Sequence, residues 1–177
     1  MVVEQFSFDL KPPEAPFLYR QARRVQEWGR LMRLDKPVGI WLLLWPELWA
    51  LWIGGGGRPE PRILLIFLIG TVVMRSAGCV INDFADRNVD PYVKRTKDRP
   101  LAARRVDPRE ALLLFAVLAL IALYLALQLD WKTLRLAFIG AALTVSYPFL
   151  KRFFPLPQFY LGLAFGWAVP MAYMAAS

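Results

Sequence analysis

Asn82, Asp83, Asp86 and Asp90 bring three carboxylates and a carboxamide together at the end of a long apolar run, in the stretch Asn82-Asp83-Phe84-Ala85-Asp86-Arg87-Asn88-Val89-Asp90. Asn82, Asp86 and Asp90 are four residues apart, so on a continuous helix they form one stripe that drifts by about 40° per step. Asp83 falls about 20° from Asp90 and shares that wedge. Crowded acids repel one another unless a cation sits among them. Hard oxygen donors without His or Cys suit Mg²⁺, which is commonly completed by the phosphates of a substrate. The four residues are therefore candidate Mg²⁺ ligands. The same spacing also fits a solvated helix end whose acids are offset by nearby Arg and Lys, and spacing alone leaves both readings open.

Several basic residues extend the pattern. Arg75 lies two turns before Asn82 on the same helix face, deeper in the apolar run. A charge at that depth normally faces a polar cavity or a partner. Arg75 therefore either holds the carboxylate of a small second substrate or pairs with Glu47 or Asp83. Lys94, Arg95 and Arg99 follow the acids, and Lys151-Arg152 follows Tyr147-Pro148. Their cations suit phosphate oxygens, and topogenic charge is the competing explanation. Asp86, Asp90 and Arg152 are the candidate catalytic residues, and Arg75, Lys94, Arg95, Arg99, Lys151 and Arg152 the candidate substrate-binding ones. Together these groups describe a site where Mg²⁺ and basic side chains hold a diphosphate bearing a lipid tail.

The elements that must position them are apolar runs. These are Pro37–Ile53, Ile63–Ile81, Ala111–Leu129, Leu134–Leu150, and a last one from Leu156 to Ser177. Each is close to the ~20 residues a bilayer requires. Pro37 fits a helix start, and Gly54 to Gly57 a stop. Leu18 to Leu34 fits an amphipathic interfacial helix through Leu18, Val25, Trp28, Leu31 and Met32. Trp41, Trp45, Trp49 and Trp52 recur at helical spacing, either in bundle packing or an interface belt, or as the wall of an apolar tunnel. Residues 1–35 read as a basic N-terminal segment and 36–177 as the membrane domain. The basic residues concentrate before the first span, between the acidic stretch and Glu110, and at Lys151-Arg152, which places the N-terminus and the acidic stretch in the cytoplasm. The expected fold is an all-α, polytopic transmembrane helical bundle.

Composition agrees. The chain is 57% hydrophobic with a mean hydropathy of +0.38, which excludes an ordinary soluble domain. The net charge is +8, but the basic residues flank apolar runs, so membrane topology explains them better than nucleic acid does. The single Cys79 excludes a disulfide framework, and the absence of His excludes imidazole chemistry within the chain. The first residues mix polar and apolar types, with no cleavable signal sequence legible.

Three blocks carry a resemblance. They are Arg33-Leu34-Asp35-Lys36-Pro37-Val38-Gly39-Ile40-Trp41-Leu42-Leu43-Leu44-Trp45-Pro46; Asn82 to Asp90 with Val93-Lys94-Arg95-Thr96-Lys97-Asp98-Arg99-Pro100-Leu101; and Tyr147 to Arg152 followed by Leu156-Pro157-Gln158 and Gly162 to Pro170. The chain resembles the UbiA-type membrane prenyltransferases, and within them the 4-hydroxybenzoate polyprenyltransferases of ubiquinone synthesis. The resemblance implies a bacterial inner-membrane enzyme with polyprenyl diphosphate and 4-hydroxybenzoate as substrates. It implies Mg²⁺ held by Asn82, Asp86 and Asp90, Arg75 near the aromatic acid, Arg95 on the diphosphate side and Arg152 as a functional arginine. It also implies a second Asp-rich motif, which this sequence lacks, and roughly nine spans against about four to five here. The expectation is a C-terminally truncated sequence that transfers no prenyl group on its own.

Other acceptors used within the family (homogentisate, a naphthoate, haem or chlorophyll) are the near alternatives. The Asp-Gly and Ala-Arg pattern of CDP-alcohol phosphatidyltransferases is absent. A non-catalytic lipid or ion transporter, with Arg75 and Glu47 as an intramembrane pair, is the alternative from another class.

Overall fold

The computed structural model describes residues 16–177, and among them the regular structure is helical, without strands. The first residues, on which the absence of a signal sequence was read, lie outside the described part.

Prolines and acidic caps set the helix starts. α1 (Phe17–Leu31) follows Pro16, and α2 (Val38–Gly54) follows Pro37. Pro61, Pro108 and Pro157 begin α3 (Pro61–Asp86), α4 (Pro108–Ala126) and α6 (Pro157–Gly166). A proline there lacks only an N–H that the helix leaves unpaired anyway. Asp107 caps α4 by accepting from the Arg109 amide at 2.7 Å. Asp130 caps α5 (Trp131–Leu150) by accepting from the Lys132 amide at 2.9 Å and from the Thr133 hydroxyl. The Thr133 hydroxyl, with the first-turn amides, holds the Asp130 carboxyl below the usual carboxylate range. Gly56 and Gly57 turn the chain out of α2 with φ of +58° and +88°.

Four helical stretches are long and apolar enough to cross a membrane: Pro61–Asp86, Pro108–Ala126, Trp131–Leu150 and Pro157–Ala176. α2, with 17 residues, is a shorter apolar helix. The last stretch is two helices, α6 and α7 (Ala168–Ala176), divided at Trp167. The Trp167 indole is locked to α5, donating to the Leu136 carbonyl at 2.8 Å.

α3 is the hub, packed on α4, α2, α5, α1 and α7. One apolar cluster joins Leu31 of α1, Ala77 and Val80 of α3, Leu101 and Val106 of the α3–α4 connection, and Ala111 and Leu118 of α4. It braces the end of α3 that carries the acids. A second cluster joins Ala50 and Leu51 of α2, Phe67 of α3 and Ala172 of α7. Large side chains such as Leu113, Leu120 and Tyr124 remain exposed on α4, as a helix facing lipid would leave them. Trp41, Trp45, Trp49 and Trp52 are likewise exposed. Their ladder faces outward on α2, as an interface belt does.

Candidate functional site

Asn82 and Asp86 stand one turn apart at the end of α3. Lys151, the residue after α5, donates to both, to Asn82 Oδ1 at 2.9 Å and to Asp86 Oδ2 at 2.5 Å. Arg152 donates to the Ala85 carbonyl at 2.8 Å and to Asp86 Oδ1 at 3.5 Å. Asp83 points elsewhere. Its carboxylate is 1% exposed and receives both oxygens' worth of donation from Arg33 Nη2, at 2.9 and 2.8 Å. Arg99 Nη1 bridges Asp83 at 3.0 Å and Asp90 at 2.9 Å.

The expected stripe from Asn82 through Asp90 is therefore broken. α3 ends at Asp86, and Asp90 opens a separate 3₁₀ turn, Asp90–Tyr92. Arg87 caps α3 four residues before Pro91, and Pro91, which has no N–H to give, stands inside the new turn. The result is two oxygen pairs, Asn82 with Asp86 and Asp83 with Asp90, each gathered on a basic side chain.

Among the described residues, no three carboxylates converge to hold a metal ion by themselves. The donors nevertheless fit Mg²⁺. All are oxygens, Asn82 and Asp86 already share one cation, and Mg²⁺ usually takes only one or two carboxylates beside substrate phosphates and water. Of the basic candidates, the structure brings Arg99, Lys151 and Arg152 to the acids. Lys94 and Arg95 stay exposed on the α3–α4 connection. Arg33 was missed as a site residue. It is one of several arginines before the first span, and only its place at the head of the first matched block set it apart.

Behind the acids lies a cavity of about 530 Å³. Arg33, Asn82, Asp83 and Arg99 line its polar part, and side chains such as Phe67 and Phe115 its apolar part. Arg75 is in the wall, with Nη1 against the Cys79 thiol and Nε buried without a hydrogen-bond partner. The expected pairing with Glu47 or Asp83 does not form. Glu47 accepts from the Thr71 hydroxyl instead, and Asp83 is taken by Arg33 and Arg99. The register of α2 on α3 explains this, since it sets Gly39 opposite Arg75 and Glu47 opposite Thr71.

Residues 43–177 match the UbiA prenyltransferase family. The chain belongs to that family. It is similar to 4-hydroxybenzoate octaprenyltransferase of Nitrosococcus oceani, 60% identical over 86% of this chain and 54% of the relative. It is likewise similar to the protein of that name from Methylococcus capsulatus, 58% identical over 86% of this chain and 52% of the relative. The chain thus spans about half the length of the curated relatives it matches. Its fold is similar to the apo structure of a UbiA homologue from Aeropyrum pernix, with a TM-score of 0.70 and 30% identity over 78% of this chain and 50% of that one. The fold also matches a UbiA homologue from Archaeoglobus fulgidus bound to GPP and Mg²⁺, with a TM-score of 0.66 and 19% identity over 85% of this chain and 52% of that one. The all-helical, integral-membrane architecture is the UbiA one.

Proposed function

We propose that the protein at its relatives' full length carries out Mg²⁺-dependent transfer of a polyprenyl group from polyprenyl diphosphate to 4-hydroxybenzoate, in ubiquinone biosynthesis. The acceptor atom is the ring carbon ortho to the hydroxyl. One observation carries this most: a mouth of oxygen donors and basic side chains opens on a largely apolar cavity whose wall holds a half-buried arginine without a carboxylate partner. The 60% identity to a 4-hydroxybenzoate octaprenyltransferase supports the choice of acceptor and donor.

Asn82 and Asp86 would hold Mg²⁺, with Asp90 as the third ligand the resemblance implies once Arg99 gives it up; when bound, the ion neutralises diphosphate charge and eases departure of the leaving oxygen. Asp83, enclosed by Arg33 and Arg99, is better suited to holding those arginines than to reaching a metal. Lys151, Arg152 and Arg99 stabilise the charge that grows on the departing diphosphate. Lys94 and Arg95, exposed on the connection, attract the incoming anion. Arg75 holds the acceptor carboxylate and turns the ring toward the mouth. The allylic C–O bond breaks with its electron pair going to the departing diphosphate, the ortho carbon forms the new C–C bond, and the ring proton passes to the released diphosphate or to water.

The proposed location is the bacterial inner membrane, with the N-terminus and acidic stretch cytoplasmic. The meeting of Arg33, the acids and Lys151 at one end of the bundle supports a shared side. The test is transfer from polyprenyl diphosphate to ring-labelled 4-hydroxybenzoate in membranes carrying the whole protein. Lipid-soluble label should require Mg²⁺ and vanish with EDTA. Label appearing equally with a non-phenolic benzoate, or without Mg²⁺, would refute the proposal.

A further inference from the structure

Resting on the role proposed above for Arg75, we infer that Gly39 is a positioning residue that provides a resting slot for the Arg75 guanidinium, withdrawn from an incoming carboxylate. A Cβ at Gly39 would lie 2.6 Å from both Nε and Nη2 of Arg75 and 3.0 Å from Cζ. Two equal short distances and a longer one to the central carbon put that point off the Nε–Nη2 edge, close to the guanidinium plane. This is the edge with which arginine grips a carboxylate in two-pronged fashion. In this position it faces the bare backbone of α2, and Nε has no partner. Nη1 is engaged by the Cys79 thiol. The resting guanidinium therefore offers this two-pronged edge to nothing, and an anion that grips Nε and Nη2 together has to draw it out of the slot.

A methyl group at Gly39 would remove the slot. The atoms it meets are the far end of a flexible side chain, so the fold accommodates the change while Arg75 moves into the cavity. An anion then no longer has to displace it, and apparent affinity rises by the reciprocal of the fraction of protein that had not been at rest.

The experiment is equilibrium binding of 4-hydroxybenzoate and of uncharged 4-hydroxybenzamide to the full chain in lipid nanodiscs. It compares wild type, Gly39→Ala, Arg75→Ala, Arg75→Lys and the Gly39→Ala/Arg75→Lys double variant. Gly39→Ala should bind 4-hydroxybenzoate roughly three- to tenfold more tightly, with no gain for the amide and none in the Arg75→Lys background. If Arg75→Ala weakens binding but Gly39→Ala leaves it unchanged or weaker, the resting slot is wrong and the anchoring role of Arg75 stands. If Arg75→Ala leaves 4-hydroxybenzoate binding intact, the anchoring role fails and the slot with it.

Discussion

Lys151 and Asp86 lie 65 residues apart in sequence, yet the lysine ammonium donates to the Asp86 carboxylate at 2.5 Å and to Asn82 beside it at 2.9 Å. The contact closes the end of α3 against the end of α5 and fills the gap between two oxygen donors with positive charge. Replacing Lys151 by Met should therefore change two affinities in opposite senses. Mn²⁺ alone, followed by paramagnetic resonance, should bind roughly threefold or more tightly once the competing ammonium is gone. Polyprenyl diphosphate should bind more weakly, because one of its cations is lost. A parallel fall in both affinities would mean that Lys151 only supports the fold.

Asp83 should matter for stability. Its carboxylate is 1% exposed, and the arginines that hold it are 18% and 23% exposed. Breaking a buried pair costs about 3–5 kcal/mol, and part-exposed partners favour the low end, so Asp83→Ala should destabilise by about 3 kcal/mol. Arg99→Met should cost less, because Arg33 still holds Asp83. Thermal unfolding in detergent reads both, and an unchanged Tm for Asp83→Ala would contradict the arrangement.

Glu47 and Thr71 form a buried pair inside the bundle, and the Phe67 carbonyl lies within reach of the same Thr71 hydroxyl, whose single proton serves one acceptor at a time. Thr71→Val keeps the shape but strips Glu47 of its donor, at a cost of about 1–3 kcal/mol. Glu47→Gln, which retains an acceptor for Thr71, should be much milder. Equal Tm losses for the two variants would argue against the pairing.

Asp130 gives a pH dependence whose sign is fixed. Its folded carboxyl titrates below the ordinary aspartate range, so the stabilisation is fully present above the unfolded value and is lost as pH falls through the folded one. Acid should fray the start of α5, seen as a fall in the hydrogen-exchange protection factor of the Thr133 amide. Asp130→Asn, which cannot ionise, should flatten that response.

Much of the architecture was legible because it depends on local signals. Apolar run length marked the spans, Pro37 marked the start of α2, and the Asn82–Asp86 spacing held because both lie on one continuous helix. The line failed at Asp90, where α3 has already ended and Arg99 draws the acid toward Asp83. Pairings across distant helices had no local signal. Whether Arg75 meets Glu47 depends on the register of α2 on α3, which neither segment encodes by itself. The Arg75–Cys79 contact, four residues apart on one helix, was readable from spacing. Arg33 was hidden among other arginines, its role set by a tight turn with φ of 59°.

The most direct measurement is binding of a polyprenyl diphosphate to the chain in nanodiscs, with and without Mg²⁺, for wild type and Asp86→Ala. Binding should require Mg²⁺ and fall by at least tenfold in Asp86→Ala, on the order of a lost charge-assisted contact. Binding that ignores Mg²⁺, or that survives Asp86→Ala unchanged, would contradict a diphosphate site built on the end of α3.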